Sequence, residues 1–128
     1  MRKTIATAEA PRAIGPYSQA VAASGTRTVW CSGQIPLDPV TGEMIPGDIA
    51  AQTERVLANV RGLLAAAGLE MRHVVKSTVF LVDLGEFARM NEVYARHFPG
   101  DPPARSTVQV AALPRGARIE LECIAVAD

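Results

Sequence analysis

An arginine that follows a rigid, proline-rich segment is the first feature of the sequence that could do chemistry. Arg105 comes directly after Pro102-Pro103-Ala104, and the fixed φ of proline limits where the guanidinium can point. Thr107 shares its face of a predicted strand. A guanidinium held in one direction suits bidentate binding of a carboxylate. A solvated arginine at a strand entrance is the alternative, and the neighbouring residues leave both interpretations open.

Glu120 is the second candidate. It lies between Ile119 and Leu121, in a strand whose same-face residues include Ile124 and Val126. A partly buried carboxylate at such a place is suited to act as a general base. A strand-end glutamate that points to water or pairs with an arginine is the alternative.

An amide interrupts an aromatic stripe further along the chain. Phe87, Asn91, Tyr94 and Phe98 recur at helical spacing and share one face. The amide of Asn91 must find hydrogen-bond partners there or cost stability. A contact with a ligand and a structural bond to a loop are both open, and Phe87 also fits a simple core position.

The stretch IGPYSQA, Ile14 to Ala20, raises a different question, because Gly15-Pro16 breaks regular structure just before a tyrosine. The side chains that follow, Tyr17, Ser18 and Gln19, can all form hydrogen bonds. A stiffened backbone before Tyr17 indicates that the direction of this side chain matters.

The elements that must position these residues form an α+β pattern. A helix is expected from an Asp48 cap to a stop at Gly68, and a second from an Asp83/Glu86 capping box to Phe98. Strands are expected at Arg2 to Ala6, Gln19 to Ala23, Thr28 to Ser32, Val74 to Val82, Ala104 to Val110 and Arg118 to Val126. The order ββ(β)αβαββ predicts two helices that cover one face of a sheet.

That arrangement leaves the other sheet face uncovered. In the last predicted strand, Ile124 and Val126 occupy the register opposite to Leu121 and Cys123, yet they are apolar as well. Since nothing else in the chain is left to cover them, self-association through this face is expected.

The composition narrows the class of protein. The 128 residues are expected to form one domain, residues 1–128. Thirteen basic residues balance thirteen acidic ones, so neither nucleic acid nor an anionic membrane is an expected partner. No apolar run has the length of a membrane span, and Met1-Arg2-Lys3 lacks the apolar segment of a signal peptide. A cytoplasmic location is therefore expected.

Neither a metal nor an organic cofactor is indicated. His73, His97, Cys31 and Cys123 fall in four separate predicted elements without the spacing of zinc ligands. No Gly-rich phosphate loop opens a helix after a strand. The two cysteines are expected to be reduced core thiols.

Five stretches together resemble one protein family. IGPYSQA, SGQIPLDPVTGE, VVKSTVFLVDLGEFARMNEVY, PARSTV and LPRGARIELE are similar in order and spacing to the RidA (YjgF) family, almost from Met1 to Asp128. The resemblance implies a chorismate-mutase-like fold, a barrel-shaped homotrimer and clefts between subunits. It implies hydrolysis of 2-imino acids and their enamine tautomers to 2-oxo acids and ammonia, with no cofactor. Such imines are released by pyridoxal-phosphate dehydratases that act on serine or threonine.

The resemblance also assigns roles to residues. It implies that Arg105 holds the substrate carboxylate, that Glu120 positions and activates water, and that Tyr17, the third expected catalytic residue, lines the cleft. It places a backbone contact at Gly33. The further substrate-binding positions that it implies are Phe87, Asn91 and Thr107, the last of which is cysteine in many members. The Thr107 hydroxyl can still donate to a carboxylate, but behaviour that depends on a thiol is not expected here.

Relatives in other functional classes define the alternatives. Some are described as ribonucleases or translation inhibitors, and others as chaperone-like or non-catalytic ligand-binding proteins. The zero net charge and the lack of a basic stripe with interleaved aromatic residues disfavour a ribonuclease. A pure binding module would not need Glu120 beside Arg105.

Overall fold

The chain forms six strands and two α-helices in the predicted order. The computed structural model describes all of residues 1–128. The strands are β1 (Arg2–Ile5), β2 (Ala20–Ala23), β3 (Arg27–Gln34), β4 (Val74–Leu81), β5 (Ala104–Gln109) and β6 (Ile119–Ala127), and the helices are α1 (Ile49–Ala66) and α2 (Phe87–His97). Short 3₁₀ turns at Met71–His73, Leu84–Glu86 and Pro114–Gly116 connect them. The α+β class expected from the sequence is confirmed.

The strands divide into two sheets. A four-stranded sheet has the order β3-β6-β4-β5, in which β4 and β5 are parallel and the other pairs antiparallel. β1 and β2 form a separate antiparallel pair. β5 is therefore an edge strand, and only an isolated bridge between Ser18 and Ala104 touches its outer side.

Both helices pack on one face of the larger sheet. That face carries the buried side chains of β4 and β6, since Val79 lies opposite Leu121 in the register and both are fully buried. The core that they form with the helices includes Val56, Leu57, Val60, Leu64, Met90, Val93, Tyr94, Ile119 and Cys123. One row of this face crosses all four strands, because Arg105 lies opposite Ser77, Ser77 opposite Cys123, and Cys123 opposite Cys31. Both cysteines are free and buried, in adjacent positions of neighbouring strands.

The local signals for α1 are confirmed, and the capping box predicted for α2 is wrong. Asp48 accepts a hydrogen bond from the amide of Ala51, and Gly68 ends the helix with a φ of +76°. Asp83 caps the 3₁₀ turn before α2 by accepting from the amide of Gly85. Glu86 instead pairs with Arg118, 32 residues away in the chain, at 3.0 Å.

The other face of the larger sheet has no cover within the chain. Trp30 is 72% exposed on β3 and Val108 is 42% exposed on β5. Phe80 and Ile124 lie on the same face and are half-buried. The uncovered apolar face that the sequence predicts is therefore present. No helix is both long enough and apolar enough to cross a membrane.

The same substitution to alanine is expected to have opposite effects on stability at two glycines of the α1 region. Gly68→Ala forces a Cβ into a left-handed backbone, which we expect to lower the free energy of unfolding by about 1 kcal/mol. Gly62 lies inside α1, and a Cβ added there would meet no atom within 4 Å. Gly62→Ala should therefore raise the free energy of unfolding by about 0.5–1 kcal/mol. Chemical denaturation of both variants measures the difference, and equal effects would contradict the assignment of Gly68 as the helix stop.

Candidate functional site

Arg105 lies at the centre of the site, between α2 and the segment that contains Tyr17. Its Nη1 donates to Oδ1 of Asn91 at 2.7 Å. Three aromatic rings surround the guanidinium, with Cζ at 4.8 Å from the ring centroid of Tyr94, 5.5 Å from that of Phe87 and 5.6 Å from that of Tyr17. The amide predicted to need a partner in the aromatic stripe therefore finds the arginine.

The charge of Arg105 has no carboxylate partner within the chain. The chain forms five ion pairs, and Arg105 takes part in none of them. The side chain is half-buried, and the loss of hydration lowers the pKa of its guanidinium from the usual value. An arginine stays protonated despite such a shift. A half-buried cation among rings and an amide is a ready binding site for an anion.

The IGPYSQA segment places Tyr17 against this cation. The amide of Tyr17 donates to the carbonyl of Gly15 at 2.8 Å, which closes a tight turn at the Gly15-Pro16 break. Ser18 then fixes the segment to the start of β5, because its amide donates to the Pro103 carbonyl at 3.0 Å and its hydroxyl to the Pro102 carbonyl. The stiff backbone before Tyr17 and the two prolines before Arg105 are thus bound to each other.

Tyr94 forms the inner wall of the site and was not singled out by the sequence as a site residue. It has no exposed surface, and its hydroxyl lies 2.6 Å from Oγ of Ser77. Burial raises the pKa of Tyr94 to about 12, so its hydroxyl stays protonated at physiological pH. The helical spacing of Phe87, Asn91 and Tyr94 already contained the signal, since the three share the face that meets Arg105.

Thr107 lies on the same sheet face as Arg105, as expected from the alternation of the strand. Its Oγ1 atom is covered by the chain and has no hydrogen-bond partner. The backbone amide of Thr107 is better placed than this hydroxyl to form a new hydrogen bond. Val110 donates its amide to Leu81 of β4, so by strand alternation the amide of Thr107 points to the free edge of β5.

Glu120 lies on the opposite, uncovered face of the sheet. It is paired in register with Phe80, whereas Arg105 belongs to the row of Ser77 on the helix-covered face. Gly33 lies directly beneath the Glu120 carboxylate, because a Cβ on Gly33 would clash with Oε2. Gly33 therefore belongs with Glu120.

One chain thus brings together part of the predicted set and separates the rest. Tyr17, Phe87, Asn91 and Arg105 meet on the helix-covered side, with Thr107 next to them in the same strand. Glu120 and Gly33 meet on the other side. Within a single chain Glu120 and Arg105 do not meet, because Glu120 is in the row of Phe80 and Arg105 is in the row of Ser77, on opposite faces of the sheet. Whether they lie side by side in a cleft between subunits stays a prediction.

Two pockets of the chain lie away from Arg105. A cavity of about 1050 Å³ is found where the carboxyl ends of α1, α2 and β6 meet, near Arg61 and His97. Another of about 520 Å³ lies between α1 and the loop that contains Asp38 and Gly42. Neither is lined by a residue of the predicted site, and no group of three or more His, Cys, Asp or Glu residues could hold a metal ion. Arg105 is half-buried and lies outside both pockets.

Comparison with known proteins shows which proteins the chain is similar to in sequence and fold. The model of the endoribonuclease L-PSP family matches residues 7–127. The protein DfrA of Myxococcus xanthus is 59% identical over 125 residues, covering 98% of this chain and 95% of its own. A mouse protein named 2-iminobutanoate/2-iminopropanoate deaminase is 49% identical over 126 residues, covering 98% and 92%. The crystal structure of Escherichia coli TdcF with bound serine has a TM-score of 0.75 and 46% identity, covering 98% and 99%.

Gly33 and Gly15 provide a matched pair of substitutions. Gly33→Ala places a methyl group at the Glu120 carboxylate, so we expect this carboxylate to be displaced. Gly15→Ala meets Tyr17 and Arg105 only at ordinary contact distances of 3.7–3.9 Å, so the guanidinium should stay in place. Crystal structures of both variants measure the two displacements. A Glu120 carboxylate that stays in place in Gly33→Ala would contradict the packing described here.

Proposed function

The chain belongs to the endoribonuclease L-PSP family, also known as the RidA (YjgF) family, and we propose that it is a hydrolytic deaminase of small 2-imino acids. Relatives that share about half of its residues are named 2-iminobutanoate/2-iminopropanoate deaminase. The reaction converts a reactive 2-imino acid, or its enamine tautomer, and water into a 2-oxo acid and ammonia. The products expected from the names of these relatives are 2-oxobutanoate and 2-oxopropanoate.

The unpaired charge of Arg105 is the observation that carries the proposal. Every 2-imino acid has a carboxylate, and a half-buried guanidinium without a counterion is suited to bind it. One Nη1 hydrogen is directed to Asn91, which leaves Nη2 and Nε for the ligand. The amide of Thr107 at the free edge of β5 is placed to add a second contact. The relative TdcF, crystallised with serine, binds another small α-substituted carboxylic acid.

We propose a homotrimer in which each site is shared between two subunits. The opposite orientations of Arg105 and Glu120 support this arrangement, since a second copy of the chain can supply the residue that the first directs away. The uncovered apolar face with Trp30, Phe80 and Ile124 provides the surface that association would bury. Glu120 and Gly33 of one subunit would then face Arg105, Tyr17 and Phe87 of the next.

The chemistry follows from the two charged groups. The carbon of a protonated imine is electrophilic without a metal or an organic cofactor, so the enzyme needs only to hold the substrate and to activate water. In the proposed role, Glu120 accepts a proton as water adds to that carbon and forms a carbinolamine. Glu120 returns this proton to the nitrogen, and it then takes the proton of the carbinolamine hydroxyl as the C–N bond breaks, so that the 2-oxo acid forms and ammonia leaves. The proton that the protonated imine brought in ends on the ammonia, which is released as ammonium. Arg105 fixes the carboxylate so that the imine carbon faces the water.

The cytoplasm is the proposed location of this reaction. Cys31 and Cys123 are free although they lie opposite each other in the register, as thiols remain in a reducing compartment. Imines that leave a dehydratase in that compartment would be within reach of the protein.

Arg105 tests the class of substrate. Arg105→Lys should be nearly as damaging as Arg105→Ala, because lysine keeps the charge but loses the planar fork. Loss of a buried charged hydrogen-bond partner costs about 2–5 kcal/mol, which is enough to abolish measurable acceleration of imine hydrolysis. The assay couples a threonine dehydratase to the protein and records 2-oxobutanoate. Near-normal activity in Arg105→Lys would exclude a bidentate clamp.

Substitution of Glu120 tests whether this residue activates the water. Glu120→Gln keeps the size of the side chain and removes the base, so we expect turnover to fall by about 10²–10⁴ while binding of 2-oxobutanoate is retained. The coupled assay gives the first quantity and calorimetry gives the second. Unchanged turnover in this variant would assign Glu120 a purely structural role.

A further inference from the structure

We propose that Ser77 is a positioning residue for Arg105 that acts through the ring of Tyr94. The inference rests on the proposed function, because it concerns how the same site holds a carboxylate. Neither Ser77, at 1% exposure, nor Tyr94, at 0%, offers surface to a ligand. Any influence that they have on binding must therefore pass through the guanidinium.

The ring of Tyr94 connects the helix to the sheet at the point where Arg105 begins. Its hydroxyl meets Ser77 Oγ at 2.6 Å, and Ser77 is the register partner of Arg105 on the adjacent strand. Its ring also packs in the core against the ring of Phe98, with centroids 4.6 Å apart. The hydrogen bond therefore fixes the tilt of the ring relative to the strand from which Arg105 extends.

Among the three rings, that of Tyr94 has the closest approach to the guanidinium. Its centroid is 4.8 Å from Cζ, against 5.5 Å for Phe87 and 5.6 Å for Tyr17. Tyr17 and Phe87 are only half-buried, so they can adapt when a ligand enters. The ring of Tyr94 is buried and bonded, and it defines how deep the guanidinium lies.

Asn91 fixes how the guanidinium of Arg105 is rotated in its plane. It lies one helical turn before Tyr94 and accepts from Nη1 at 2.7 Å. With Nη1 held by Asn91 and the inner face resting on Tyr94, the Nη2 edge is directed toward Gly15, where a Cβ would lie 3.9 Å from it. That edge therefore faces the segment that contains Tyr17, whose ring is half-buried and able to move.

Loss of the Ser77–Tyr94 hydrogen bond should therefore lower the preference of the site for a charged carboxylate, in addition to any effect on the stability of the fold. The variants are Ser77→Ala, Tyr94→Phe and the double variant. The control is Thr53→Val, which removes another fully buried hydroxyl, the one that donates to the Ile49 carbonyl in α1. Calorimetry measures the affinity of each for 2-oxobutanoate and for the neutral analogue 2-oxobutanamide.

We expect each single variant to lose about tenfold in its preference for the acid over the amide, a fraction of the hundredfold that a 1 Å misplacement can cost. The double variant should lose no more than either single one, because both remove the same bond. Thr53→Val should keep the wild-type preference. Tyr94→Phe preserves the shape of the core, so it decides the question if Ser77→Ala does not fold.

Two other outcomes separate the proposals. An unchanged preference in Tyr94→Phe, alongside a lost preference in Arg105→Ala, overturns the role of Ser77 and leaves the clamp intact. A preference that survives in Arg105→Ala overturns the carboxylate clamp itself, and with it the positioning role.

Discussion

A positive charge without a partner is the constraint that organises this structure. Arg105 carries its guanidinium into a half-buried place where hydration is reduced, and the chain supplies rings and one amide oxygen but no carboxylate. Such a charge is costly unless something else balances it. Two prolines, the turn before Tyr17 and one face of α2 all serve to hold it in place. A fixed cation that lacks an anion is most simply understood as one half of a binding interaction.

The alternation of side chains along strands imposes the second constraint. Glu120 lies on the same sheet as Arg105 but on the other face, so in the proposed trimer it would serve the site of a neighbouring subunit. The apolar residues that surround Glu120 on that face, among them Phe80 and Ile124, favour association of the same surface. The proposed trimer would thus link catalysis to assembly, because the contact that covers the apolar face would also complete the site.

Local signals in the sequence predicted more than long-range ones. The α+β class, the element order, the caps of α1 and the stripe on α2 follow from periodicity and from single residues such as Asp48 and Gly68, whose effects are confined to neighbouring turns. The capping box at Glu86 failed because its carboxylate pairs with a residue far along the chain. Alternation already places Glu120 on the uncovered face with Ile124, but the sequence does not reveal how β5 pairs with β4, and this pairing puts Arg105 on the helix-covered face. Ser77 gives no signal at all, since a serine in a buried strand resembles any other.

Complementation between two inactive variants tests the shared site most directly. Arg105→Ala and Glu120→Gln subunits are each expected to lack activity, and they can be mixed by unfolding and refolding together, with native mass spectrometry to verify mixed assemblies. Random mixing should restore activity in roughly a quarter of the composite sites, those that draw an intact arginine from one subunit and an intact glutamate from the next. Recovery of imine hydrolysis near that level is the predicted result. Mixed trimers that remain as inactive as the parent variants would contradict a site built from Arg105 and Glu120 of different chains.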